Sequence, residues 1–99
     1  MKIMPFNIPS LAGPHKRSAF KWVVSLEHPD ILMLEETLEV GYVVKERLVS
    51  WFPSWIFATL DASGCSGGLV VGWKVKSIKV VSMWGMESFL GMNFHSLDL

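Results

Sequence analysis

Ile31-Leu32-Met33-Leu34 is an apolar run too short for a helix, closed off by His28-Pro29-Asp30 on one side and by Glu35-Glu36 on the other. A run of that kind reads as a strand covered on both faces. The chain before it must therefore deliver a partner for that strand. Met1 to Ile8 mixes apolar positions with Lys2 and leads into Pro9-Ser10-Leu11-Ala12-Gly13-Pro14, which is dense in turn formers; this predicts a short strand and a loop. From Pro14 to about Glu27, Ala19, Val23 and Leu26, joined by Phe20 and Val24, recur at helical spacing while His15, Lys16, Arg17 and Lys21 stay outside. The spacing predicts an amphipathic helix with Pro14 near its start. His28-Pro29-Asp30 ends it, because the residue before a proline is pushed out of the helical region. The predicted opening is strand, helix, strand.

A weaker helical pattern covers roughly Tyr42 to Trp51, and Trp55 to Leu60 is an aromatic and branched run that reads as a strand. Asp61-Ala62-Ser63-Gly64-Cys65-Ser66-Gly67-Gly68 is expected to be a loop. Beyond it, Leu69 to Trp73, Ser77 to Met83 and Ser88 to Phe94 are short β-prone runs separated by glycine or charge, which suggests consecutive antiparallel strands. No fixed-period repeat is visible, which excludes repeat architectures. The expected class is mixed α and β, with sheet dominating the second half.

Length sets a limit on how well such a fold can be closed. A chain of 99 residues buries only about 60–70% of the surface its unfolded form exposes. Trp22, Trp51, Trp55, Trp73 and Trp84 each need a large apolar surround, so several are expected to sit against something this chain does not contain. The formal net charge is zero, which leaves no global field to attract nucleic acid or anionic lipid and makes any polyanion binding local. The single Cys65 cannot form an internal disulfide, as suits a reducing intracellular compartment. The basic start Met1-Lys2 lacks the sustained apolar core of a signal peptide, and Leu48 to Leu60 is broken by Pro53 and falls short of the ~20 residues needed to span a bilayer. The expectation is a soluble or protein-associated chain with no membrane partner.

Three segments, taken in order, resemble one family. Met1-Lys2-Ile3 through Asn7-Ile8 with its turn, then Lys16-Arg17, then Pro29-Asp30-Ile31-Leu32-Met33-Leu34-Glu35-Glu36-Thr37 look like the start of endonuclease/exonuclease/phosphatase domains. Ala62-Ser63-Gly64-Cys65-Ser66-Gly67-Gly68-Leu69, with Trp73 beyond it, is similar to the version carried by plant LINE-type retrotransposons. The resemblance covers about Met1 to Trp73. Phe6 stands where the family usually has tryptophan, Pro9-Ser10 where it has arginine-glycine, and Glu35 where it has glutamine; these departures bear on activity more than on fold. The resemblance implies a two-sheet sandwich, with DNA as the partner and Mg²⁺ as the cofactor of the full domain.

It also implies which residues carry the chemistry. Mg²⁺ is a hard cation that prefers carboxylate oxygen and keeps several waters, and the resemblance gives that role to Glu36 at the end of the second strand. Side-chain alternation puts Glu35 on the opposite face from Glu36, so the two are not a paired acid and Glu35 reads as a bystander. Asn7, ending the first strand, would orient Glu36 or a phosphate oxygen through its amide. Asn7 and Glu36 are thus the candidate catalytic and metal-holding residues. The family completes its site with a later Asp-x-Asn segment and a Ser-Asp-His segment, and neither occurs here. His95 follows Phe94 rather than aspartate, so the general-base role is not carried onto it.

Other motifs weigh less. Gly64-Cys65-Ser66-Gly67-Gly68 matches the pattern of a nucleophile elbow, yet Leu69-Val70-Val71 is strand-like where the elbow needs a helix, and no acid and histidine follow in order. A phosphate loop would need Gly-Lys-Ser/Thr, and the histidines and Cys65 are too scattered for zinc. Lys74, Lys76 and Lys79 with Trp73 and Trp84 could form a basic aromatic face for single strands, but alternation with buried residues on an ordinary exposed strand is the better reading. The leading expectation is residues 1–99 as an incomplete endonuclease-like domain, inactive alone. The alternative is a non-catalytic small α+β interaction domain. Both leave strand edges and tryptophans uncovered, and so predict self-association.

Overall fold

The computed structural model describes residues 1–8, 13–36, 41–61, 68–86 and 89–97. The elements run β1 (Ile3–Ile8), α1 (Pro14–Glu27), β2 (Ile31–Glu36), α2 (Gly41–Trp51), β3 (Trp55–Asp61), β4 (Gly68–Lys74), β5 (Ile78–Met86) and β6 (Phe89–Ser96). Strand, helix, strand is the opening, and the class is mixed α+β. Four strands form one sheet in the order β1-β2-β4-β3, and β5 and β6 form a separate hairpin sheet.

β1 and β2 are parallel, and β4 lies antiparallel between β2 and β3. A parallel pair needs a crossover, which α1 supplies. Gly13 opens that crossover with a φ of 107°, a conformation that favours glycine. His28 closes the helix in the left-handed region, and its backbone N–H donates to the Val24 carbonyl. The three downstream runs are not consecutive neighbours as expected: β4 is inserted into the first sheet, and a turn at 75–77 carries the chain to the second. Asp61 and Gly68, expected in a loop, are paired strand residues.

The four-stranded sheet has a core on each face. On the helical side, Phe20 and Val24 of α1 and Val44 and Leu48 of α2 pack on Leu32, Leu34, Phe57 and Val70. An aromatic chain runs through this layer, with Phe20 5.1 Å from Phe6, 5.7 Å from Phe52 and 6.4 Å from Trp51, centroid to centroid. Burying each such side chain contributes about 1.5–3 kcal/mol. The expected inner stripe of α1 is rotated: Phe20 and Val24, one turn apart, face the sheet, whereas Ala19, Trp22 and Leu26 are exposed. Phe20 on the inner side meets both Phe6 of β1 and the aromatic residues at the end of α2.

The opposite face packs on the hairpin, where Ile31, Val71, Trp73 and Ile78 are buried together and Val80, Met83, Met92 and Phe94 pack against them. A bulge at Val81 decides which side of β5 faces inward. Val80 pairs with Phe94 and Ser82 with Asn93, leaving Val81 without a ladder partner. The extra residue shifts the alternation, so Met83 faces the sheet and Trp84 faces out. β2 is not covered on both faces along its length: Ile31, Leu32 and Leu34 are buried, but Met33 is 49% exposed because the hairpin does not reach over it.

Candidate functional site

Asn7, next to last in β1, and Glu36, last in β2, belong to two strands that lie side by side and run the same way. The parallel register pairs Asn7 with Glu35 and Ile8 with Glu36. Residues paired across a ladder project to the same face, and neighbouring strands lie about 4.8 Å apart. Asn7 and Glu35 are therefore immediate neighbours on the face opposite the helices, and both are exposed. Glu36, placed by its backbone, stands one position further along β2. Sequence reasoning set Glu35 aside; the register makes it the carboxylate directly beside Asn7. That pairing depends on the stagger between β1 and β2, which no local signal in either segment reports.

Asn7 and Glu35 stand at one end of a cavity of about 620 Å³ between the β1–β2 side of the sheet and the hairpin. Pro5, Met33 and Leu69 line it from the sheet, and Leu90, Met92 and Phe94 line it from β6. Its size falls in the range of small-molecule sites. The cavity exists because the two-stranded hairpin covers the middle of the four-stranded sheet, burying Ile31 of β2 with Val71 and Trp73 of β4, and leaves the outer part of β1 and β2 open. Ile3 and Met33, 46% and 49% exposed, mark the part left bare.

The other end of β1 is tied down by charge. Asp30 accepts the Lys2 backbone N–H at 2.8 Å through its carboxylate, its own N–H donates to the Lys2 carbonyl at 2.8 Å, and its carbonyl accepts the Lys74 N–H at 3.1 Å. The Lys2 backbone N–H, with help from the Ser77 side chain and nearby positive charge, holds the Asp30 carboxyl below its ordinary value against the opposing effect of burial. Lys2 also bonds and pairs with Glu27 through its ammonium, which lowers the Glu27 carboxyl in the same direction. These groups fix the strand starts and lie away from the Asn7 end.

The basic aromatic face weighed above is not assembled. Trp73 is buried at 7% exposure in the inter-sheet core, and Lys74 lies 5.9 Å from the ring centroid of Trp55, on the helical side. Trp84 is exposed, as is His95, which pairs with Lys79 in the hairpin. Cys65 and Ser66, with the glycine-rich segment 62–67, lie outside the described residues, as do Pro9, Ser10 and Thr37. Of the five tryptophans, Trp55 and Trp73 are buried, Trp51 is half-buried, and Trp22 and Trp84 are 64% and 54% exposed.

Among the described residues no three His, Cys, Asp or Glu side chains come together as a metal centre. Mg²⁺ asks for less from a protein, commonly one or two carboxylates with water and substrate completing the shell. A carboxylate and an amide at adjacent strand ends fit part of such a shell. No helix among the described residues is long and apolar enough to cross a membrane. No protein-family model, curated protein or solved structure matches this chain.

Proposed function

We propose that this chain is the amino-terminal part of a Mg²⁺-dependent endonuclease-like domain of retrotransposon origin, and that it is inactive alone. The supporting observation is the parallel pairing of β1 with β2, which brings the end of the strand that carries Asn7 beside the Glu35-Glu36 end of the other. In this reading the α+β architecture is one part of an endonuclease/exonuclease/phosphatase-type sandwich. Glu36, at the end of β2, is the residue that would hold Mg²⁺, which would supply charge stabilisation on a phosphate of bound DNA; Asn7, which shares its face with Glu35 rather than with Glu36, would take part through that phosphate and not by direct contact with Glu36. One amide and one carboxylate cannot position both the attacking and the leaving oxygen, so the chemistry needs the Asp-x-Asn and Ser-Asp-His segments that the sequence lacks.

Two measurements test it. In a plasmid-nicking assay with Mg²⁺, neither the chain nor Glu36→Ala should nick; cleavage by the chain that disappears in the variant would refute its inactivity. Extending the reading frame should reveal the two missing segments and a reverse transcriptase. A frame that continues without them would refute the nuclease ancestry.

A second reading is a non-catalytic interaction domain, favoured by one observation. Ala19, Trp22 and Leu26 form an exposed apolar stripe on α1, more than a solvent-facing helix side needs. Self-association through this stripe and through the sheet edges accounts for it. Trp22→Ser with Leu26→Ser should then convert a concentration-dependent oligomer to monomer in sedimentation velocity, and a wild-type chain monomeric at all concentrations would refute self-association.

A further inference from the structure

The inter-sheet cavity has a chemistry of its own, separate from phosphoester cleavage. Its walls are apolar along most of their length, and two of the lining side chains, Met33 and Met92, are unbranched thioethers that adapt to a ligand's shape. Its one ionisable lining residue, among those described, is Glu35. No described residue gives that carboxylate an ion pair or hydrogen bond. Asn7, in register beside it, adds an amide that can donate or accept. Among the described residues the cavity is thus apolar along its length with one negative charge, Glu35, at one end.

We propose that it binds an amphiphilic cation, an amine or quaternary ammonium carried on an apolar chain, with the cationic head at Glu35 and Asn7 and the apolar body between β1–β2 and β6. Charge complementarity selects this class. A fatty carboxylate would place like charges together, and a neutral chain would leave Glu35 unused. Length agrees: from Ile3, which also lines the cavity, to Asn7 the strand advances about 13 Å, which suits a chain of some ten carbons. Asn7 belongs to both readings, but the proposal does not depend on the nuclease reading, since its charge is Glu35 rather than Glu36 and it uses no metal.

The probes are decylammonium, decanol and decanoate, each below its micelle concentration, titrated into the full chain with calorimetry and with methionine-methyl resonances as the map of location. The expected result is saturable binding that moves the Met33 and Met92 methyls, with decylammonium tighter than decanol by about five-fold, the upper reach of a solvent-accessible ion pair, and decanoate weakest. Glu35→Gln should abolish the preference while leaving decanol affinity unchanged. Being an exposed strand substitution, it is expected to fold. Absence of saturable binding, equal affinity for all three probes, shifts confined to other methionines, or a charge preference that survives in Glu35→Gln would each overturn the proposal.

Discussion

Asp30 joins the starts of β1 and β2 to the end of β4 through its carboxylate, its amide and its carbonyl. Because its folded-state pKa is lowered, its contribution to stability is whole above the ~3.9 of an unfolded aspartate and is lost as the pH falls through the lower folded value. Asp30→Asn should cost about 1 kcal/mol at neutral pH, the usual net worth of a hydrogen bond. It should also flatten the decline in urea midpoint below about pH 4. A second residue works against the fold. His28 is exposed and holds φ 49° and ψ 53°, which disfavours any side chain with a Cβ, so His28→Gly should raise stability by about 1 kcal/mol in the same measurement. His28-Pro29-Asp30 was readable as a helix stop because proline acts on its neighbour directly. The backbone sign of His28 and the three-way role of Asp30 were not, since both depend on where β1 and β4 arrive.

At the level of the element, the β5–β6 hairpin shows how one residue sets a face. Simple alternation from Ile78 and Val80 would turn Ser82 and Trp84 toward the sheet; the bulge at Val81 turns Met83 there instead. Deleting Val81, which is 59% exposed, should remove the irregularity and keep Met83 inside, changing the unfolding free energy from urea denaturation by less than about 1 kcal/mol. Deleting Met83 should swing Trp84 inward and cost more than about 2 kcal/mol. The α1 helix gives the complementary case. Its bounds follow from Pro14 and His28-Pro29, but apolar residues occupy more than one side, so periodicity alone did not separate Phe20 and Val24 from the exposed Trp22 and Leu26.

For the whole molecule, stability rests on two thin cores sharing one sheet. Phe20 bridges β1, α1 and the end of α2, and Phe20→Ala should cost about 3–5 kcal/mol. Against a total of about 5–15 kcal/mol for a domain of ordinary stability, that loss should leave the chain largely unfolded well below the wild-type midpoint when followed by circular dichroism. The exposure of Ile3 and Met33 follows from the same arithmetic of layers, since two hairpin strands cannot roof the whole of a four-stranded sheet. What the sequence determined by itself is local: the strand, helix, strand opening, the stop of α1 at His28-Pro29, and the run of β2 out to its acids, because prolines and hydrophobic period act over a few residues; β1 goes one residue past Asn7, to Ile8. Only tertiary structure decided that β4 enters between β2 and β3, that Trp73 is buried while Trp84 is not, and that Glu35 rather than Glu36 stands in register with Asn7. Those outcomes depend on stagger and layer order, set by contacts between segments far apart in the chain.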